Sequence, residues 1–257
     1  MQLEGKRIIV TGGANGIAAA TVEAFVKEGA TVVSLDIQDE TGMAGAAAAS
    51  AIGPGSATFM HCNITNQAEV ESVFAVAVAR LGGLDALAAI AGTEAVKPAV
   101  DLTGGDIDAM IDVHLKGTIF TNIAAFKAMQ HTGGSIINYG SHVAITAHFL
   151  NMAAYGAAKG AVQAWTRNAA FEWAKHKVRV NAVGPAVWTP LARRIVDELS
   201  DDMKQQFTDY FAWNVPLGGD LGDVREPAYL NVFLASDRAT FITGQMIQVD
   251  GGQVFAR

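Results

Sequence analysis

The chain has 257 residues, is 51% hydrophobic and 17% charged, and carries a formal net charge of -7. This length and apolar content provide for a sizeable core and exclude a disordered chain, while the acidic balance and the lack of any basic run exclude a binder of nucleic-acid phosphates. A single cysteine, Cys62, excludes an internal disulfide, no apolar run approaches the ~20 residues of a membrane helix, and the early charges Glu4, Lys6 and Arg7 leave no signal segment, so a cytoplasmic protein without a membrane partner is expected.

Residues 6–11 form a short apolar run, the pattern of a buried strand. The stretch Thr11-Gly12-Gly13-Ala14-Asn15-Gly16-Ile17-Ala18 follows and leads into a helical pattern through Val22, Phe25 and Val26. Strand, glycine turn and helix in that order suit a dinucleotide: Gly12 permits a tight turn, and Gly16 lets the backbone approach a pyrophosphate at the positive end of the helix. A glycine turn alone is a weak signal, since any strand-to-helix junction can use one. The second strand spans 31–35 and Asp36 closes it, twenty residues after Gly16. A carboxylate there can accept hydrogen bonds from the adenosine ribose and repels a 2′-phosphate. With no arginine or lysine in the turn or directly after Asp36, NAD is favoured over NADP; the competing reading is a turn aspartate.

The alternation continues to the end of the chain. Residues 39–52 are alanine-rich and helical, 56–61 a strand, and Asn66 caps a helix running to about 81. Asn63 can bond an adenine edge. Strands follow at 84–90, 134–139, 178–183 and 246–249, with helices at 106–129, 151–175 and 225–234. Such alternation means a parallel sheet covered on both faces. No linker or repeat divides the chain, so one domain over 1–257 is expected, with an insertion at 187–223, holding helical pieces at 190–198 and 201–211, placed where a substrate lid would sit.

Tyr155 and Lys159 stand four apart on the 151–175 helix and so share a face. An ammonium beside a phenol favours the phenolate, which lowers the tyrosine pKa and suits it to exchange a proton with an alcohol or ketone. Ser141, after the 134–139 strand, offers a hydroxyl for the same substrate oxygen. Taken alone, a tyrosine four before a lysine is common helix decoration.

These residues together, with NAVGPAVWTP at 181–190 and ITGQMIQVDGG at 242–252, resemble the short-chain dehydrogenase/reductase family over essentially the whole chain. The resemblance implies a single-domain, doubly wound Rossmann fold with a seven-stranded parallel sheet, NAD(P) as cofactor and a homotetramer. It casts Tyr155 as general acid/base, Lys159 as its partner and a holder of the nicotinamide ribose, and Ser141 as the group steadying the substrate oxygen. It places the cofactor against Gly12, Asn15, Gly16, Ile17, Asp36 and Asn63, then Ala91 and Gly92, and finally Pro185, Val187 and Thr189, besides Tyr155 and Lys159. The chain departs from the family pattern in four places. Ala18 replaces a glycine, Ala89-Ile90 replaces two asparagines, and Ala186 replaces a glycine. His114 stands where an asparagine usually holds a water linked to the lysine; an imidazole that donates and accepts can replace it in a proton relay, or can be a satisfied helix histidine.

Substrate contacts are expected from Glu94, His142, Phe149, Trp188 and Trp213, with Thr93, His148, Met152 and Phe211 nearby. This mostly apolar set fits a bulky hydrophobic secondary alcohol or ketone. The histidines and the cysteine show no metal-ligand spacing, so no metal is expected. Two other readings remain: a non-redox enzyme of lyase, epimerase or dehalogenase type on the same scaffold, and a non-catalytic binding member. The intact Gly12, Gly16 and Asp36 weigh against the first, and the complete Ser141, Tyr155 and Lys159 set against the second.

Overall fold

Period-two burial along the first strand decides how the layers form. Ile8 and Val10 face one side and Ile9 the other, and all three are fully buried. In a computed structural model, which describes residues 1–94, 96–146 and 150–254, the strands are β1 (Arg7–Thr11), β2 (Thr31–Asp36), β3 (Ser56–His61), β4 (Ala86–Ala89), β5 (Gly134–Tyr139), β6 (Val178–Pro185) and β7 (Met246–Val249). They form a seven-stranded parallel sheet in the order β3-β2-β1-β4-β5-β6-β7. A Rossmann-type sheet was the expectation, and this is one.

The helices cover both faces. On one side α1 (Gly16–Lys27), α2 (Asp39–Ser50) and α9 (Arg225–Ala235) pack Val22, Phe25, Val26, Ala46, Ala49 and Val232 onto Ile8, Val10 and Val32. On the other, α3 (Gln67–Leu81), α5 (Gly117–Met129) and α6 (Ala153–Trp173) pack Val70, Phe74, Ala125, Met129, Ala169 and Trp173 onto Ile9, Val33 and Leu87. Each fully buried large aliphatic or aromatic side chain contributes about 1.5–3 kcal/mol. Buried polar groups are paired across the layers: Asn138 Nδ2 donates to Asn122 Oδ1 (3.0 Å) and to Thr166 Oγ1 (3.0 Å), and Trp165 Nε1 donates to Asn122 Oδ1 (2.9 Å).

The 106–129 helix is less regular than its sequence suggests. It begins at α4 (Gly104–Met110), set by a capping box between Thr103 and Asp106, widens into a π-helical stretch at Ile111–Lys116, and resumes as α5. The apolar periodicity is too coarse to reveal an added residue per turn, and such stretches gather at functional sites. Asn66 caps α3 as expected, accepting from the Glu69 amide at 3.3 Å. After β6 come α7 (Pro190–Asp197) and α8 (Asp201–Asn214). The 187–223 excursion closes on itself: Trp188 N donates to Gly222 O (2.8 Å) and Gly222 N to Ala186 O (3.0 Å). A third apolar cluster, with Met110, Leu150, Met152, Tyr155, Phe207, Phe211 and Val215, joins this excursion to α4 and α6. Among the described residues no helix is long and apolar enough to cross a membrane, and no cluster of side chains could hold a metal ion.

Candidate active site

The strand order reverses between β1 and β4, and the crevice at the carboxyl ends of a parallel sheet opens at such a point. A cavity of about 750 Å³ lies there. Its lining follows the sheet: Asn63 after β3, Asp36 on β2, Gly12 after β1, Ala91 and Gly92 after β4, Ser141 after β5, and Pro185 and Val187 around the end of β6. Asn15, Ile17, Glu94, His114, His142, Tyr155, Lys159 and Thr189 line the same cavity.

The glycine turn is built for close approach. Gly12 has φ +76, and a Cβ on it would lie 2.7 Å from Ala91 Cα. A Cβ on Gly13 would overlap Ser34 Oγ, a constraint the sequence reading passed over. Thr11 Oγ1 accepts from the amides of Ile90 (3.1 Å) and Ala91 (3.2 Å), so a hydroxyl braces the end of β4, where the family pattern has two asparagine side chains. Asn15 caps α1, its Oδ1 accepting from Gly16 N at 2.9 Å.

Asp36 is buried. Its Oδ1 accepts from Ile37 N (2.7 Å) and Gln38 N (3.0 Å), and its Oδ2 from Ala14 N (3.1 Å). Of the roughly four acceptor positions on a carboxylate, three are taken and one on Oδ2 is open to a ligand hydroxyl. Both sequence readings of Asp36, turn aspartate and ligand, therefore fit its geometry. Asn63 forms its own turn, with Oδ1 accepting from the Thr65 amide and hydroxyl. Thr189 caps α7, Oγ1 accepting from Ala192 N at 2.9 Å, with Pro190 at the first helical position. This helix start faces the glycine turn: a Cβ on Gly16 would lie 3.7 Å from Pro190 Cδ.

Tyr155, Ser141 and Lys159 are all buried side by side. The hydroxyls of Ser141 and Tyr155 are hydrogen-bonded. Lys159 Nζ lies 5.7 Å from the centre of the Tyr155 ring and donates to Tyr139 O at 2.8 Å. The expected lowering of the Tyr155 pKa by Lys159 is not what this geometry gives. Burial pushes the phenol well above its usual value, the Glu94 carboxylate adds to the rise, and only the Ser141 bond acts downward. Burial also lowers Lys159 to about 8, opposed by Glu94.

His114 lies on the π-helical stretch, where it is 2% exposed and edge-on to the Tyr155 ring at 5.2 Å. Its Nε2 is 2.7 Å from Thr93 O and 3.4 Å from Thr93 N. A carbonyl only accepts, and the shorter contact decides: Nε2 carries the proton, so Nδ1 is an acceptor. Burial and the nearby Lys159 lower this imidazole to about 3, so it stays neutral. Burial likewise lowers His142 to about 4.

The expected substrate contacts divide. Glu94 and His142 line the cavity, with Val96, Val143, Leu150, Met152, Phe207, Phe211 and Leu221. Trp188 and Trp213 do not. Trp188 packs on Phe207 and donates Nε1 to Asp220, because the turn before α7 points it toward α8. Trp213 lies on the outer face of α8, 88% exposed, since Phe207 and Phe211 occupy the inner face at helical spacing. Phe149 and His148 lie outside the described residues. Arg194, which also lines the cavity, was missed; the one signal for it is its place one turn into a helix that opens with Thr189-Pro190.

A family pattern described as enoyl-(acyl carrier protein) reductase matches residues 12–253. The chain is 36% identical over 256 residues to momilactone A synthase of Oryza sativa subsp. japonica, covering 98% of this chain and 90% of that one. The chain belongs to the short-chain dehydrogenase/reductase family. Another relative within it is 2,5-dichloro-2,5-cyclohexadiene-1,4-diol dehydrogenase of Sphingobium indicum, 36% identical over 254 residues, covering 97% of each chain. The crystal structure of levodione reductase superposes with a TM-score of 0.92 at 27% identity, covering 98% of each chain. Short-chain dehydrogenase/reductases typically use NAD(P), and Gly12, Asn15 and Gly16 of the turn on the cavity wall, with the remaining acceptor on Asp36, fit such a group here.

Proposed function

We propose that this short-chain dehydrogenase/reductase is an NAD-dependent oxidoreductase that interconverts a bulky, largely hydrophobic secondary alcohol and its ketone. The observation that carries the reading is the meeting of Ser141, Tyr155 and Lys159 with the glycine turn and Asp36 on one continuous cavity. Its volume and its apolar walls suit a dinucleotide and a compact ring-bearing substrate. The bound nicotinamide supplies the hydride acceptor or donor. In alcohol oxidation Tyr155 Oη takes the hydroxyl proton, and Ser141 Oγ holds the substrate oxygen by a hydrogen bond. Lys159, fixed by the Tyr139 carbonyl, contributes positive charge beside the forming phenolate. In ketone reduction the same Tyr155 proton returns to the substrate oxygen.

Asp36 selects NAD in this reading, because its carboxylate opposes a 2′-phosphate. In this reading neutral His114, whose Nδ1 is left as an acceptor, substitutes in the proton relay of Lys159, and the absence of a Cβ on Gly92 lets the imidazole pack against that backbone. The 187–223 excursion acts as a lid that carries Phe207 and Phe211 over the substrate, and the whole chain works as a single catalytic domain. Assembly into a homotetramer is carried over from the family resemblance.

The deciding experiment is a fluorescence titration with NADH and NADPH, followed by a screen of cyclic and aromatic secondary alcohols and ketones. Tight NADH binding and turnover of bulky alcohols are expected. Failure to bind either nucleotide would move the chain to a non-redox role, and a preference for small polyols would remove the hydrophobic substrate.

A further inference from the structure

Glu94 is the one carboxylate among the described residues beside Tyr155 in the substrate half of the cavity, and it is half-buried there. No hydrogen bond or ion pair to it is formed among the described residues. Lys159 acts on it only through space, because its Nζ donates to the Tyr139 carbonyl. Around it the walls are apolar: Val96, Val143, Leu150, Met152, Phe207 and Phe211. A substrate that fills the cavity takes water away from this carboxylate, and leaving it without a donor is then costly, so a well-fitted substrate brings a donor of its own. A purely hydrocarbon alcohol does not bring one.

We infer that Glu94 is a specificity-determining residue that accepts a hydrogen bond from a second hydroxyl of the substrate, so that the preferred substrates are diols or hydroxyketones on an otherwise apolar ring. The inference rests on the oxidoreductase reading and narrows its substrate class. A hydroxyl suits the site better than an ammonium, since Lys159 already places one positive charge within reach of the carboxylate and a second would be repelled. It also gives Glu94 a part in the reaction. An unpartnered carboxylate opposes the phenolate at Tyr155; a donor bound to it withdraws part of that negative potential. In the oxidation one carbinol carbon loses hydride to the nicotinamide of NAD and its hydroxyl loses its proton to Tyr155, giving a ketone. The second hydroxyl keeps both its bonds and donates to Glu94 throughout.

The test compares cyclohexanol with 1,2-, 1,3- and 1,4-cyclohexanediol, and 1-indanol with 1,2-indanediol, as substrates with NAD. The readout is the ratio of kcat/KM for diol over mono-alcohol in the wild type, in Glu94→Gln and in Glu94→Leu. NADH titration of each variant reports that the fold is kept. At least one diol is expected to exceed its mono-alcohol by about tenfold or more, above the factor of two that two equivalent hydroxyls give, as for a hydrogen bond to a charged group. That ratio should collapse toward two in Glu94→Leu and fall partway in Glu94→Gln. A ratio near two in the wild type, or one unchanged in Glu94→Leu, overturns the role of Glu94 while the dehydrogenase reading stands. Preferential turnover of 4-aminocyclohexanol over the diol overturns the hydroxyl assignment. Turnover of no alcohol, with either nucleotide, overturns the dehydrogenase reading and this inference with it.

Discussion

Lys159 shares a face of α6 with Tyr155, yet its ammonium is fastened to the Tyr139 carbonyl at 2.8 Å and stands 5.7 Å from the centre of the Tyr155 ring. It thus stands beside the phenol ring with its hydrogen bond given to the backbone. Burial and Glu94 raise the phenol above its usual range, and only the Ser141 bond acts downward. Oxidation needs the phenolate, whose population grows as pH climbs toward a raised pKa, whereas reduction needs the phenol. Alcohol oxidation should therefore accelerate steadily from about pH 7 to 10, while the Tyr155 proton for ketone reduction stays in place across that range because the phenol is almost fully protonated below its raised pKa. Tyr155→Phe should lower kcat/KM by about 10²–10⁴, with a far smaller change in NADH affinity. A pH-independent oxidation rate, or a Phe variant of full activity, would remove Tyr155 from the proton step.

Asp36 holds three turn amides and is proposed to select NAD, and one substitution should separate the two roles. Asp36→Ala leaves the amides of Ala14, Ile37 and Gln38 without their acceptor. A stability loss of about 1–3 kcal/mol is expected from unsatisfied groups, measured by urea unfolding. The ratio of NADPH to NADH affinity should rise by about tenfold or more as the negative charge goes. An unchanged ratio with reduced stability would leave Asp36 as a turn residue alone.

His114 and His142 make stability depend on acid in a defined direction. Burial lowers them to about 3 and about 4. Below the unfolded value near 6.5 the unfolded chain binds protons that the folded chain refuses. The contribution of each is therefore complete above that pH and is lost as pH falls toward the folded pKa, at about 1.4 kcal/mol per pH unit per group. Between pH 7 and 5, His114→Asn should lose about 2 kcal/mol less than the wild type. An identical pH dependence in urea denaturation would mean that His114 does not stay neutral in the fold.

The turn after β1 has its strictest steric demand at Gly13. A methyl there overlaps Ser34 Oγ and comes within 3.4 Å of Val22 Cγ2. Gly13→Ala should cost about 1–3 kcal/mol from overpacking and weaken NADH binding. Ser34 Oγ has no hydrogen-bond partner among the described residues, so Ser34→Ala should by itself be nearly neutral. The double variant should recover at least half of the loss, which a thermal unfolding series on the four proteins measures. Strict additivity would mean that the two side chains do not meet.

The layered fold was legible in the sequence because its causes are local. Apolar runs of strand length, helical spacing through Val22, Phe25 and Val26, and caps such as Asn66 depend on neighbours in the chain, and each appears where its pattern placed it. The cavity residues Gly12, Asp36, Ser141, Tyr155 and Lys159 were legible for a related reason: each sits where a parallel strand ends or where a helix face meets that edge. Tertiary structure alone decided what depends on residues far apart in sequence. The π-helical stretch that turns His114 onto Thr93, the Gly13–Ser34 contact and the Thr11 brace under Ile90 and Ala91 all join separate elements. Helical phase likewise sent Phe207 inward and Trp213 outward, although both are large aromatics on one helix. Composition marks a side chain as apolar; only the packed neighbour determines whether it lines a cavity or meets water, and whether a charge is offset by a lysine or by burial.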